Sequence, residues 1–153
     1  MSRSIRLYQS TDEDAVVRVW HRAGLAAYPY VPAWQAFALE HARVVFRDHI
    51  APHCEVWVAT QGGSVVAYLA LKGSYVDRLY VDPASQGDGH GSALLEHAKA
   101  LRPGGLELHT HQENTRARAF YERRGLVAVK LGISPAPESI PDVEYHWRPA
   151  GGP

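Results

Sequence analysis

The chain has 153 residues, with 16 Lys plus Arg against 16 Asp plus Glu, so its formal net charge is zero. Hydrophobic residues make up 46 % and charged residues 21 %, an ordinary globular composition sized for one domain with its own core, and the charge balance argues against a nucleic-acid binder. Cys54 is the single cysteine, which excludes an internal disulfide and a four-cysteine zinc site, and no run approaches the roughly 18 apolar residues of a membrane span. The segment "MSRSIRLYQS" has no apolar signal core, so a cytoplasmic protein without membrane attachment is expected.

In chain order, Ile5 to Gln9 alternates apolar and polar residues, as a half-buried strand does. Thr11 is the expected cap of a helix carrying Asp12, Glu13 and Asp14 in its first turn, where the helix dipole favours acids. Ala15, Val16, Val19, Trp20 and Ala23 fit a 3.6-residue period, and Gly24 lies near its expected end. "YPYVP" cannot be regular helix, because each proline disfavours helix in the residue before it. A second helix is predicted from Trp34 to about Arg47, with Phe37, Val44 and Val45 inward. Glu55–Thr60 and Ser64–Lys72 read as a hairpin about a glycine turn, and Tyr75–Val81 as a third strand of the meander. A helix over about His90 to Leu101 follows, then a strand from Gly105 to Thr110 and a helix from Asn114 to Arg124 that Gly125 ends. "LVAVKL" and "VEYHWR" close the chain as two strands around a long loop, Gly132 to Pro141. The predicted class is α/β, of the α+β mixed-sheet kind, in one domain over residues 3–148 with a disordered tail at 149–153.

The stretch "VDPASQGDGHGSALL" puts Gly87, Gly89 and Gly91 at the mouth of a helix, where glycine costs backbone entropy. The first amides of a helix have no internal partner and carry partial positive charge, so such a junction is an anion cradle. The plain alternative is a tight turn that needs positive φ. The P-loop motif is excluded, since no lysine follows Gly91, and the dinucleotide fingerprint is excluded by the G-x-G-x-G spacing.

Gln86-Gly87-Asp88-Gly89-His90-Gly91 resembles the acyl-CoA pyrophosphate signature (Arg/Gln-x-x-Gly-x-Gly/Ala) of the GNAT superfamily of N-acetyltransferases. "NTRARAFYERRGL" is similar to that family's second signature, N-x-x-A-x-x-F-Y-x-x-x-G-F, with Asn114, Ala117, Phe120, Tyr121 and Gly125 matching and Leu126 in place of Phe. The element order agrees as well. The resemblance implies a central mixed, mostly antiparallel sheet of six to seven strands flanked by four helices. It also implies acetyl transfer from acetyl-CoA to a primary amine, by direct attack in a ternary complex.

The resemblance gives expected roles to named residues. The loop amides of Gly87, Asp88, Gly89, His90, Gly91 and Ser92 would hold the pyrophosphate, with Gln86 shaping the loop. Leu79, Tyr80 and Val81 would pair with the pantetheine arm, and an amide near Leu79 would stabilise the oxyanion, a donor typically worth about 10²–10³ in rate. Tyr121 would be the general acid for the leaving thiolate and Asn114 a partner of the CoA arm; packing and helix capping are their ordinary structural roles. His109 is the candidate base, standing where related enzymes carry a carboxylate, and histidine can serve near pH 7. Tyr75 and Asp77, placed on one strand face by alternation, are rivals near the acceptor.

Tyr28, Tyr30 and Trp34 offer an aromatic wall for an amine, or packing for the connection. His109 and His111 share a face but lack an evident third ligand, so no metal is expected. The arginines at 116, 118, 123 and 124 read as a solvated helix face, and Cys54 as inert. An exposed closing strand could mediate a homodimer. A non-catalytic CoA-binding or sensor module is the alternative from another class; no nucleic-acid partner is expected.

Overall fold

The computed structural model describes residues 2–27, 29, 32, 38–136 and 138–149. It divides into two compact units, residues 1–98 and 99–153. Among the described residues there are seven strands and four α-helices, a mixed α/β fold.

In the first unit, β1 (Arg3–Leu7), β2 (Glu55–Gln61), β3 (Ser64–Lys72) and β4 (Tyr75–Val81) pair in that order, each antiparallel to its neighbour. The helices α1 (Glu13–Ala27) and α2 (Leu39–Val45) supply one covering layer. Val16, Val17, Val19 and Trp20 of α1 meet Ala42, Phe46 and Ile50, and together they bury Val56, Val58, Tyr68 and Ala70 of the sheet. Each fully buried side chain of this size contributes about 1.5–3 kcal/mol. Residues 42, 46 and 50 fall on one helix face, and the chain widens into a π turn at Phe46–Ile50. Trp57 points to the opposite face of β2, where its ring lies 4.3 Å from that of His97 on α3 (His90–Leu101).

In the second unit, β7 (Pro141–Trp147) lies between β5 (Leu106–His111) and β6 (Val127–Ile133) and is antiparallel to both. Leu108 stands opposite Tyr145, and Tyr121 of α4 (Thr115–Arg123) brings its ring within 6.1 Å of Tyr145. That pairing fixes the face on which α4 packs.

Several sequence expectations are corrected. Thr11 does not cap α1. Residues Ser10–Asp12 form a 3-10 turn, and Gln9 and Asp12 cap it reciprocally, because Asp12 is also needed by Arg6 at 2.8 Å. Gly24 lies buried inside α1, which runs on to Ala27. Val44 is about half exposed, since the 42–46–50 stripe faces the core instead. Residues 33–37, including Trp34 and Phe37 of the predicted second helix, lie outside the described residues, as do Tyr28 and Tyr30. The last four tail residues do too.

Candidate functional site

Strand β4 carries a one-residue irregularity with consequences for its side chains. Tyr75 stands opposite Lys72 and Val76 opposite Leu71, but Arg78 is opposite Ala70, so Asp77 has no partner across the ladder. A bulge of this kind shifts the alternation by one residue. Tyr75 and Asp77 therefore do not share a face, contrary to simple alternation. Tyr75 shares the α1-facing side with Arg78 instead, and Asp77 is left exposed. Arg78 was not singled out from the sequence; it alternates in phase with Tyr80 on the α1-facing side, and the bulge adds Tyr75 to that side. Its guanidinium carbon sits 3.9 Å from the centre of the Trp20 ring.

Beyond β4 the chain turns sharply. Asp82 accepts from the Ala84 amide at 2.9 Å and pairs with Arg22 at 3.2 Å. The Gln86 side-chain amide donates back to the Val81 carbonyl at 3.2 Å, tying the start of the loop to the end of the strand. Gly87 and Gly89 have φ of +89° and +88°. Backbone conformation explains these two glycines, because an L side chain is strained there. Gly91 has no such demand; it lies in the first turn of α3, where it leaves the backbone bare. The first intrahelical bond there runs from the Ala93 amide to the Gly89 carbonyl at 3.0 Å, and the amides of residues 90–92 precede it.

The loop is held at two points by one register pair. Arg3 and Gln61 face each other across β1 and β2. Arg3 donates to the Asp88 carbonyl at 2.5 Å, and His90 Nε2 meets Gln61 Oε1 at 2.8 Å. His90 is 3 % exposed. Burial first, and then the Arg3 charge, hold its imidazole below the ordinary range, so the ring is neutral at pH 7. An added methyl at Gly87 would meet nothing within 4 Å. The loop thus presents glycine backbone and a helix start beside Arg3, whose guanidinium is engaged by the Asp88 carbonyl.

In the second unit, Tyr121 is 9 % exposed, its ring edge-on to Phe120 at 5.2 Å. Asn114 accepts from the Ala117 amide at 3.1 Å, the capping role, which leaves its side-chain NH₂ as a donor. The polar network beneath α4 belongs to a residue the sequence reading passed over. Tyr145 donates to Glu122 at 2.5 Å and accepts from Arg118 Nε at 3.1 Å. Arg124 lies over the Phe120 ring at 3.9 Å, so two of the four helix arginines are packed rather than solvated.

His109 is on the other face of this sheet. It stands opposite Glu144, with 3.5 Å between Nε2 and the carboxylate. Glu144 also takes a 2.6 Å hydrogen bond from His146, which holds its carboxyl below the usual range. Since Tyr145 and Tyr121 define the opposite face, the structure does not bring His109 and Tyr121 together. His111, two residues on, pairs with Glu138 at 3.8 Å. Glu107, Glu144 and His146 bring three donor atoms within 4.8 Å of one another, a set that could hold a divalent cation, though each is already engaged in ion pairs. The signal for Glu144 and His146 was present in "VEYHW", where alternation puts both on one face. Burial pushes the Cys54 thiol up, in keeping with an inert side chain.

The family model "Acetyltransferase (GNAT) domain" matches residues 52–126. The chain is 30 % identical over 126 residues to a protein of Salmonella typhimurium named peptidyl-lysine N-acetyltransferase YjaB, covering 82 % of this chain and 83 % of that one. The Escherichia coli protein of the same name is 29 % identical over 123 residues, covering 80 % of each. The solution structure of apo YjaB from Escherichia coli superimposes with a TM-score of 0.81 at 23 % identity over the full length of both chains. The PaiA N-acetyltransferase of Thermoplasma acidophilum, solved in complex with coenzyme A, gives 0.71 at 19 % identity, over 97 % of this chain and all of that one.

Proposed function

The chain belongs to the GNAT acetyltransferase family, and from that premise we propose that its loop from Gln86 to Ser92 holds acetyl-CoA while a primary amine of a small molecule or peptide attacks the thioester directly. The enzyme class and the use of acetyl-CoA follow from the family; the residue roles and the acceptor are this proposal. The observation that carries it is the loop itself, with two glycines in positive φ, a bare helix start, and anchoring by Arg3 and Gln61.

Acetyl-CoA supplies an activated acyl thioester. The amides of residues 87–92 bind its pyrophosphate, where the α3 dipole adds positive charge. Leu79, Tyr80 and Val81 offer backbone groups to the pantetheine arm, and the Leu79 amide is the oxyanion donor. The Asn114 side-chain NH₂ meets the same arm. Tyr121 gives a proton to the leaving sulfur: a free thiol has pKa about 8.5 and a phenol about 10, so the two can share it. His109 takes the amine proton, with Glu144 steadying its ring. Amine and leaving sulfur share one acyl carbon, so His109, on the face away from Tyr121, would take the amine proton through a water chain.

Tyr28, Tyr30, Trp34 and Tyr75 are the proposed acceptor wall. Curated relatives named peptidyl-lysine N-acetyltransferases support a lysine side chain as one acceptor. The match over 82 % of the chain supports a single catalytic domain over residues 3–148. A cytoplasmic setting belongs to the same reading; among the described residues no helix is long and apolar enough to cross a membrane.

Two measurements test this. Melting with acetyl-CoA, CoA and NADH in parallel should show a rise with the two CoA ligands only, because binding to the native state stabilises it by mass action. Tyr121→Phe should then lower acetylation at least tenfold with CoA affinity held. Full activity in that variant would remove Tyr121 from the chemistry. A CoA-dependent rise without thiol release for any amine would favour the non-catalytic module.

A further inference from the structure

The face of β5 and β7 turned away from Tyr121 pairs acids with histidines across the ladder. Glu107 stands opposite His146, and His109 opposite Glu144. Alternation along each strand puts all four on the same side of the sheet, and all belong to the second unit. Each carboxylate divides its oxygens. Glu107 Oε1 faces Arg148 at 3.6 Å, while its Oε2 faces His146 Nε2 at 3.9 Å. Glu144 Oε1 faces His109 at 3.5 Å, while its Oε2 meets the same His146 nitrogen at 2.6 Å. The inward atoms therefore gather on His146, and one donor atom from each of Glu107, Glu144 and His146 lies within 4.8 Å of the other two. These three side chains are 26–39 % exposed, so they are partly shielded yet open to a small ion.

Ligands set tetrahedrally at about 2.1 Å from a zinc ion lie about 3.4 Å from one another. The separations of 3.9 and 2.6 Å bracket that value, so rotamer adjustments complete the set without moving the strands. One imidazole nitrogen and two carboxylates are the donor chemistry of zinc sites that keep a remaining position for water. Calcium takes six to eight oxygens, magnesium sheds water reluctantly, and neither gains from an imidazole. The present contacts exchange readily. An ion replaces the proton between His146 Nε2 and Glu144, and the neutral ring keeps its proton on Nδ1. The cations facing the cluster are Arg148 and Lys130, which stands opposite Glu144 on β6. Arg148 engages only the outward oxygen of Glu107, and exposed pairs of this kind are weak. Strand β5 by itself carries one donor; its register with β7 supplies the other two.

We infer that Glu107, Glu144 and His146 form a binding site for one divalent cation of the zinc class, with water in the remaining position. The inference stands apart from the transfer reading, and its test uses no coenzyme A, whose thiol would itself bind zinc. Tag-free protein is stripped of metal, dialysed against zinc chloride, and the bound metal counted per chain. The expected result is a single saturating zinc per chain, with a melting point that rises with zinc concentration, because binding to the native state stabilises it by mass action. Magnesium in about hundredfold excess should leave that zinc bound. Glu107→Gln and His146→Gln should each weaken the zinc Kd at least tenfold, since losing a ligand costs no less than losing an outer partner. Both positions are part-exposed, and circular dichroism of the metal-free variants checks their fold; either one that matches the parent serves. His53→Gln, at an exposed position of the first unit, should bind zinc as the parent does. Zinc bound equally by the parent and both cluster variants overturns the inference. So does an unchanged melting point in the parent, or a loss in His53→Gln as large as in His146→Gln.

Discussion

Replacing Gln61 with leucine removes the acceptor for a ring N–H that has nowhere else to go. His90 is 3 % exposed, and its Nε2 lies 2.8 Å from Gln61 Oε1. An amide oxygen only accepts, so the ring donates. Stranding that donor costs about 1–3 kcal/mol. Leucine is close to glutamine in size, which keeps the cavity contribution small. A chain of this length loses about 2–4 °C of Tm per kcal/mol, so the expected fall is about 2–12 °C by calorimetry. Because Gln61 and Arg3 hold the loop as a pair, the KM for acetyl-CoA should rise as well, by about fivefold to a hundredfold if the same free energy is lost from the bound geometry. The double variant Gln61→Leu with His90→Leu removes both polar groups and should recover much of the single variant's loss, giving a coupling of about 1 kcal/mol or more in the cycle. The pH sense is fixed too. The folded pKa of His90 lies below its unfolded value, so the unfolded chain takes up the proton first. The ring's contribution is whole above about pH 6.5 and declines as pH falls. A Gln61→Leu melting point within 1 °C of the parent, or strictly additive changes in the double variant, would refute the reasoning.

Other outcomes are expected. His109→Gln should abolish the acidic limb of the kcat/KM pH profile; an unchanged limb rejects His109 as base. Asp12→Asn removes the charge and one of the two acceptor oxygens that serve Arg6 and the Gln9 amide, and should cost about 0.5–2 kcal/mol in urea unfolding at pH 7. Hydrogen bonding to Arg6 holds the Asp12 carboxyl below its usual range, so its contribution is present above about pH 4, is lost as pH falls, and the variant and parent should converge near pH 2. On β6, Val127, Val129, Leu131 and Ile133 are each half or more exposed, and a homodimer through this edge predicts that Leu131→Asp yields monomers by light scattering. A monomeric parent protein sinks that expectation.

The elements were legible where pattern and punctuation agreed. Ser64–Lys72, Tyr75–Val81 and His90–Leu101 fall where periodicity and flanking glycines put them. The first helix was misjudged at its start for a local reason: Asp12 is drawn to Arg6 and to the Gln9 amide, and a 3-10 turn precedes the helix, which ends three residues past Gly24. The glycine loop was legible as a cradle, but its anchors were not, because Arg3 and Gln61 are distant in sequence and meet only through the β1–β2 register. His109 was legible as a residue type; Glu144 beside it required knowing that β7 pairs with β5. That Tyr75 and Asp77 part faces was hidden by the bulge.

That bulge acts as a phase shift within a single strand. Downstream of Asp77, the residues that present backbone to the cofactor keep a phase set by β3 and by the loop. Upstream, Tyr75 and Val76 have a phase of their own. Deleting one residue here would exchange the faces of Tyr75 and Val76 while leaving Leu79 to Gly91 undisturbed. On the proposed reading, a change of length at position 77 would alter the side chains offered to the acceptor and leave the phase of Leu79 to Val81 untouched. Relatives that lack the extra residue should present a different pair of side chains to the amine above an unaltered loop.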